Sequence, residues 1–252
     1  MRLILGSVRI LISVVVLVIG ALLIMALVWV PVKVRGIRLA PWLANVFAQW
    51  ALVVFNVRRQ CATPEAVQNH RGLIFPNHIS YFDILVLFSL NPLRFLSTYE
   101  IRTWPFIGLV SIALGTIFVN RSDKGSRLRA RLQVAEAVSA DPYPPLVIFP
   151  EGGVGPGRTL KPFHYGAFEI AVERHIAFLP CAIEYSHPEI IVWGQKESFL
   201  TAFWRLVCAT ESMTVTVTPL TAVQPKIGDD AKALAKAAYQ QMASVLKVEM
   251  QM

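Results

Sequence analysis

The chain has 252 residues, 55% of them apolar and 16% charged, with a net charge of +8. These values exclude a disordered chain and fit one large domain, or a domain with an appendage. The positive balance suits anionic lipid, phosphorylated molecules or nucleic acid, and composition does not choose among them.

In chain order, the first feature is a charge-free run of 23 residues, Ile10 to Val32. It is long enough to cross a hydrocarbon core of about 30 Å. A cleaved signal peptide is the competing reading, given Arg2 and Arg9 in front of the run. The run exceeds the ~7–15 apolar residues of such peptides and has no small-x-small site after it, which favours an uncleaved anchor. A second charge-free run, Leu39 to Val57, carries Trp42 and Trp50; Lys33, Arg35 and Arg38 precede it, and Arg58 and Arg59 follow. Two crossings would put the three basic residues of the short loop outside, against the positive-inside tendency. A transmembrane helix over about 10–32 and an interfacial helix over about 39–57 are therefore expected. Residues 1–59 form the membrane anchor in this reading. Residues 60–252 form a domain on the cytoplasmic face, of a bacterial inner membrane by its compactness and single short anchor.

Beyond Pro64 short apolar runs alternate with helix-like segments. Strands are expected over Gly72–Phe75, Arg94–Ser97, Thr116–Val119, Leu146–Phe149, Phe178–Glu184, Ile190–Trp193 and Met213–Pro219. Helices are expected over Tyr81–Leu90, Pro105–Leu114, Asp123–Ser139, His164–Arg174 and Asp229–Lys247. Phe199–Cys208 reads as a further helix, in contact with the membrane or in the core. The alternation predicts an α/β fold whose largely parallel mixed sheet is covered by helices.

The strand-to-helix step FPNHISYFD (Phe75–Asp83) carries His78 and Asp83. Ser80-Tyr-Phe-Asp83 is a capping box, which alone explains the aspartate. The same geometry points the Asp83 carboxylate back toward His78. Such a carboxylate fixes the imidazole tautomer and leaves Nε2 as a base for an alcohol nucleophile. Ser80 is a poor nucleophile because a capping hydroxyl is already engaged and no G-x-S-x-G elbow surrounds it. A substrate hydroxyl is the better candidate.

GTIFVNR (Gly115–Arg121) places Asn120 and Arg121 at a strand end, before a basic helix capped by Ser122 or Asp123. A guanidinium beside a helix N-terminus is suited to a phosphate. VIFPEGGVGPGRT (Val147–Thr159) places Glu151 and four glycines, Gly152, Gly153, Gly155 and Gly157, in one loop. Such a loop can turn, or it can hold a polyol or an oxyanion with its amides and carboxylate. Its G-x-x-x-x-G-R-T pattern is one residue from a P-loop, but Arg158 replaces the lysine and Pro162 interrupts the helix that should follow. FLPCAIEY (Phe178–Tyr185) has Pro180 inside an apolar strand, which implies an edge or a bulge. His70, His164, His175 and His187 lack metal-ligand spacing, and Cys61, Cys181 and Cys208 form no C-x-x-C pair. No metal site is expected.

Together NHISYFD, GTIFVNR, FPEGG and Leu179-Pro180 resemble, in order and spacing, the four blocks of the 1-acylglycerol-3-phosphate acyltransferase (PlsC-like) family. The resemblance implies that His78 is the general base and Asp83 its partner. It also implies that Arg121, with Asn120 beside it, binds the acceptor phosphate, and that Glu151 with Gly152 seats the glycerol moiety. The implied donor is an acyl-CoA or acyl-carrier-protein thioester, with no cofactor. The implied acceptor is a lyso-lipid, lysophosphatidic acid first, with phosphatidic acid as product. Two departures bear on the headgroup. Gly153 and Val154 stand where relatives carry Thr and Arg, and His164 and Tyr165 stand where relatives carry lysines. Lys161 or Arg158 is the substitute charge, and another lysophospholipid or a lyso-ornithine lipid is the alternative acceptor. A hydrolase using Ser80 and a non-catalytic lipid-binding module are the rival functions. Nucleic acid is not an expected partner, because no aromatic platforms interleave with the basic residues.

Overall fold

The structure, a computed structural model, describes residues 2–155, 157, 159–193 and 197–248. Helix α1 (Arg2–Val28) is followed by a tight hairpin, β1 (Lys33–Val34) and β2 (Ile37–Arg38), and then by α2 (Leu39–Val54). Arg35 and Gly36 turn the hairpin with φ of 51° and 81°, the two positive values that a type I′ turn requires. The first half of the domain continues with β3 (Val57–Gln60), α3 (Pro64–Gln68), β4 (Leu73–Pro76), α4 (Phe82–Leu90), β5 (Arg94–Thr98), α5 (Tyr99–Arg102), α6 (Ile107–Ala113) and β6 (Ile117–Val119). The second half holds α7 (Lys124–Ala140), β7 (Leu146–Val147), α8 (Gly166–Glu173), β8 (Phe178–Tyr185), α9 (Pro188–Ile191), α10 (Phe199–Cys208), β9 (Met213–Pro219) and α11 (Ala231–Leu246).

Seven strands form one sheet in the order β3-β9-β8-β4-β7-β5-β6. Each neighbouring pair is parallel except β8 with β9, so the expected mixed, largely parallel sheet is present. Because β4 through β8 run in one direction, their C-terminal ends share one edge. Ligands of open α/β sheets gather at such an edge.

The sheet is covered on both faces because its strands are apolar on both. In β4 the alternation of side chains sends Ile74 one way and Leu73 and Phe75 the other. Ile74 joins a core with Val86, Leu87, Leu52 and Phe55, from α4 and the end of α2. Leu73 and Phe75 join a second core with Phe168, Val134 and Met242, from α8, α7 and α11. Helix α2 presents a row of small or short residues, Ala40, Ala44, Asn45 and Ala48, as its buried side. Asn45 Nδ2 donates to the Phe88 carbonyl at 2.5 Å, which pins α2 onto α4.

The larger differences from the sequence expectation lie in α1, at the end of α2 and at Ile190–Trp193. Helix α1 runs from Arg2 rather than from Ile10 and ends at Val28 rather than Val32. The charge of Arg9 does not stop it, because its buried guanidinium donates to the carbonyls of Val207 and Ala209 at the end of α10. Helix α2 ends at Val54, and Val57 starts β3 instead. That strand runs across the 59/60 division drawn from composition and pairs with β9 over Val57–Gln60. Finally, Ile190–Trp193 is not a strand. Pro188 occupies the first turn of a short helix, where its fixed φ and missing N–H cost nothing, and the apolar Ile191 is buried as part of that turn.

Strand β4 begins from Gly72, at φ 130°, where an added Cβ would overlap the Ala177 carbonyl oxygen. That oxygen accepts from Leu73 N at 2.9 Å and so aligns β4 with the segment leading into β8. Gly72→Ala should destabilise the fold by about 2–3 kcal/mol through backbone strain. Thermal unfolding of the purified protein in detergent should show a midpoint lower by roughly 5–10 °C. An unchanged midpoint would mean that the turn relaxes without disturbing β4.

Candidate active site

Four strand ends meet at the shared edge: β4 leads into His78, β6 into Asn120 and Arg121, β7 into Glu151, and β8 ends at Tyr185. His78 Nδ1 lies 2.9 Å from Asp83 Oδ2. The same oxygen accepts from the backbone amides of Ile79 at 2.7 Å and Ser80 at 2.9 Å. Asp83 Oδ1 accepts from the Tyr185 hydroxyl at 2.7 Å. Asp83 is fully buried in the first turn of α4. A carboxylate with four donors, at the positive end of a helix, has what an ionised buried group needs. Since Oδ2 is an acceptor, Nδ1 carries the proton and Nε2 is left as the basic nitrogen. No described residue hydrogen-bonds Nε2.

The capping box and the dyad coexist. Asp83 reaches back to the Ser80 amide, as a capping box requires, while the Ser80 hydroxyl accepts from Phe82 N at 3.2 Å. The imidazole also stacks on the Phe149 ring, with centroids 3.9 Å apart and planes 19° from parallel. Tyr81 stands edge-on at 6.2 Å and packs on Trp193 at 4.3 Å, so an aromatic wall flanks the base.

Glu151 stands beneath the histidine rather than in front of it. Its Oε1 accepts from the backbone N of His78 at 2.7 Å and its Oε2 from the backbone N of Lys161 at 3.0 Å. The His78 carbonyl accepts from Gly155 N at 2.6 Å, so the glycine-rich loop clamps the histidine backbone from both sides. Burial raises the Glu151 pKa to about 7, although the two amide donors pull it back down. Lys161 directs its Nζ to the Val154 carbonyl at 2.7 Å, closing the loop on itself. A cavity of ≈ 100 Å³ adjoins this cluster, lined in part by Asn77, His78, Glu151, Leu160 and Tyr185. That is well below the roughly 300–1,000 Å³ of a small-molecule pocket.

At the end of β6, Arg121 donates through Nη1 to the Gly152 carbonyl and remains exposed. Asn120 is turned inward to its own loop: Oδ1 accepts from Ser122 N at 3.1 Å and from the Ser122 hydroxyl at 2.7 Å. Asp123, not Ser122, caps α7, accepting from Gly125 N and Ser126 N. Gly152 has φ 69°, and a Cβ on it would meet the His164 ring at 2.6 Å. The structure thus brings His78, Asp83, Glu151, Gly152 and Arg121 together and gives Asn120 and Lys161 loop-holding bonds. Arg158 lies outside the described residues. Among the described residues, no three His, Cys, Asp or Glu side chains gather as a metal cluster.

Two residues of the cluster escaped the sequence reading. Asn77 bonds both backbone groups of Ile183, donating to its carbonyl at 3.0 Å and accepting from its amide at 2.6 Å. This fixes how the chain leaves β4 toward His78. Its sequence signal was its place at the head of the NHISYFD block, which gave it no role of its own. Tyr185 had none, since it is 102 residues from the aspartate it bonds.

The fold is an open, largely parallel α/β sheet that gathers a buried His–Asp pair at its C-terminal edge. Overall the chain matches the crystal structure of the 1-acyl-sn-glycerophosphate (LPA) acyltransferase PlsC from Thermotoga maritima, with a TM-score of 0.72 over 100% of both chains, at 18% identity. The family model described as Acyltransferase matches residues 58–184, half of the sequence. The chain belongs to that acyltransferase family. Among curated relatives, a lyso-ornithine lipid O-acyltransferase of Pseudomonas aeruginosa is 36% identical over 144 residues, 57% of this chain and 52% of that protein. A 1-acyl-sn-glycerol-3-phosphate acyltransferase of Neisseria gonorrhoeae is 25% identical over 162 residues, 62% of each chain. The chain spans about half the length of the lyso-ornithine lipid enzymes of Pseudomonas aeruginosa and Brucella abortus, at 52% and 50%.

The raised pKa of Glu151 has a thermodynamic consequence. Between the ordinary value of 4.5 and about 7 the folded protein holds a proton that the unfolded chain has released. The associated stability is fully present below 4.5 and is lost as pH rises through 7. Wild type should therefore lose up to about 3 kcal/mol of unfolding free energy across this window. Glu151→Gln should lack that part of the pH dependence in denaturant titrations between pH 4.5 and pH 8. Parallel curves for the two proteins would show that the amide donors, not burial, set the protonation of Glu151.

Proposed function

We propose that this chain transfers an acyl group from a thioester donor to the free hydroxyl of a lyso-lipid, with His78 as general base and Asp83 as its partner. The observation that carries the reading is the His78 Nδ1–Asp83 Oδ2 hydrogen bond, which leaves Nε2 unbonded by any described residue. In the step itself, Nε2 takes the acceptor's hydroxyl proton as the oxygen attacks the thioester carbonyl carbon. The C–O bond forms, the tetrahedral adduct expels sulfur, and the imidazolium returns the proton to the leaving thiolate. Electrons and protons balance without a cofactor. A hydrolase using Ser80 is disfavoured because that hydroxyl faces the Phe82 amide.

The acyl donor in this reading is an acyl-CoA or acyl-carrier-protein thioester. Arg121 is the proposed anion-binding group, and the exposed guanidinium suits a carboxylate as well as a phosphate. Glu151, Gly152, Lys161 and Asn120 shape the loops around it and the His78 backbone. Similarity favours a lyso-ornithine lipid over lysophosphatidic acid as acceptor, at 36% against 25% identity among the relatives described. The missing basic group at Gly153-Val154 agrees with that preference. Membrane association through residues 1–59, with the domain from residue 60 on the cytoplasmic side, completes the proposal. Its support is α1, where Leu3–Val28 form a helix long and apolar enough in composition to cross a bilayer.

Purified protein in detergent, a radiolabelled acyl thioester and a panel of lyso-lipids test the proposal. Wild type should acylate lyso-ornithine lipid or lysophosphatidic acid. His78→Ala should lower kcat by about 10²–10⁴-fold. Arg121→Ala should raise KM for the preferred acceptor by about 10–100-fold, the loss of a charge-assisted contact to its carboxylate or phosphate. Lipid binding with no transfer in wild type would make the chain a binding module. Activity surviving in His78→Ala would remove the dyad from the mechanism.

A further inference from the structure

We infer that Tyr185 is a positioning residue of this site, whose hydroxyl locks the Asp83 carboxylate in the rotation that delivers Oδ2 to His78. The inference rests on the acyl-transfer reading for its kinetic part only. The three donors on Oδ2 are His78 Nδ1 and the amides of Ile79 and Ser80, all from the turn that also holds Asp83. Among the described residues, only the Tyr185 hydroxyl, on Oδ1 at 2.7 Å, reaches the carboxylate from the sheet, 102 residues along the chain. The terminal torsion of an aspartate is soft and nearly two-fold. With local donors alone, a small rotation would move the carboxylate off the imidazole. A donor fixed in β8 removes that freedom.

The surroundings allow little else to perform this task. Tyr185 is buried at the end of β8, and burial together with the Asp83 charge raises its pKa, which keeps the phenol a neutral donor. The groups that face the His78–Asp83 pair are Tyr81 from the start of α4, Phe149 and Glu151 after β7, and Tyr185 from β8. Tyr81 meets His78 edge-on through its ring, Phe149 offers a ring face, and Glu151 bonds the His78 backbone. The Tyr185 hydroxyl is also a tuning group. A hydrogen bond donated to Oδ1 draws charge away from Oδ2 and weakens the partner that stabilises the imidazolium.

The test compares wild type, Tyr185→Phe and a protein with 3-fluorotyrosine at 185, whose phenol is a stronger donor. Tyr185→Phe should lower kcat by about 10–100-fold through misplacement of the dyad, while KM for both substrates stays within about twofold. The acid limb of its kcat/KM profile should move to lower pH by roughly half a unit, because a displaced carboxylate supports the imidazolium less, and the stronger donor of the fluorotyrosine protein should shift it the same way by drawing charge from Oδ2. The downfield proton resonance of His78 Nδ1, assigned by its loss in His78→Ala, should move upfield in both variants. This readout needs no turnover. Unchanged kcat and an unmoved resonance would overturn the inference and leave Tyr185 as core filling. If Tyr185→Phe fails to fold, the near-isosteric fluorotyrosine protein decides the matter. A resonance that moves in proteins that transfer no acyl group would keep the Tyr185–Asp83 coupling and refute the acyl-transfer reading instead.

Discussion

The whole site depends on one buried charge. An ionised carboxylate in a fold's interior is strongly unfavourable unless nearly every acceptor position finds a donor. Asp83 meets that condition with four, and each one constrains the fold in a different way. The Ile79 and Ser80 amides require the turn between β4 and α4 to close tightly. The imidazole requires His78 to sit two residues before the cap. The Tyr185 hydroxyl requires β8 to lie beside β4 in its observed register, with Pro76 opposite Cys181. Shifting that register by one residue would turn Tyr185 to the other face of the sheet and leave Oδ1 without a donor. The sheet order and the charge state of one side chain are therefore a single problem.

Glu151 shows the same economy in a second carboxylate. Both oxygens serve backbone amides, one of them the amide of the proposed base itself. Its contribution is thus to place the histidine backbone, and Phe149, two residues earlier, supplies the face against which the ring lies. Arg121 ties the end of β6 to the same loop through the Gly152 carbonyl. Loops from three strands become one rigid frame because parallel strands end at a common edge. This is the physical reason that blocks scattered from Asn77 to Tyr185 act together.

Much of this was legible because the informative residues were local. The capping box, the His78–Asp83 spacing and the apolar strands are readable within windows of ten residues, and each survives in the structure. What failed was non-local or depended on a single partner. Strand β3 is four residues long, with Arg58, Arg59 and Gln60 exposed, so no apolar alternation marks it. It exists because β9 offers an edge. The run Ile190–Trp193 has the composition of a strand, but Pro188 at a first helical position sets its geometry. Tyr185 and Asn77 could not be assigned roles, since the groups they bond, Asp83 in α4 and Ile183 in β8, are brought near only by folding. For Glu151 the sequence points to a carboxylate opening a glycine loop, and no local window shows that its two oxygens accept from the His78 and Lys161 amides.

Arg9 belongs to the same class of residue and alters how the amino-terminal helix is understood. In sequence it marks the edge of an apolar run. In the fold it is buried, bonded to the carbonyls of Val207 and Ala209, where a cation offsets the partial negative charge at the end of α10. Close contacts follow at both ends of the helix. Gly6 leaves room for Cys208, and Gly20 leaves room for Phe47 of α2. Helix α1 is therefore seated on the domain along its length instead of hanging from a linker, while Leu3, Ile4, Leu11 and Leu22 on its other side face outward. Helix α10 in turn grips the turn above the site, since Arg205 donates to the carbonyls of Ile190 and Val192, and the next residue, Trp193, packs on Tyr81 beside His78. If the outward face of α1 lies in lipid, the orientation of the dyad relative to the bilayer is set by packing through α10. The height of His78 above the membrane is then fixed by the fold itself.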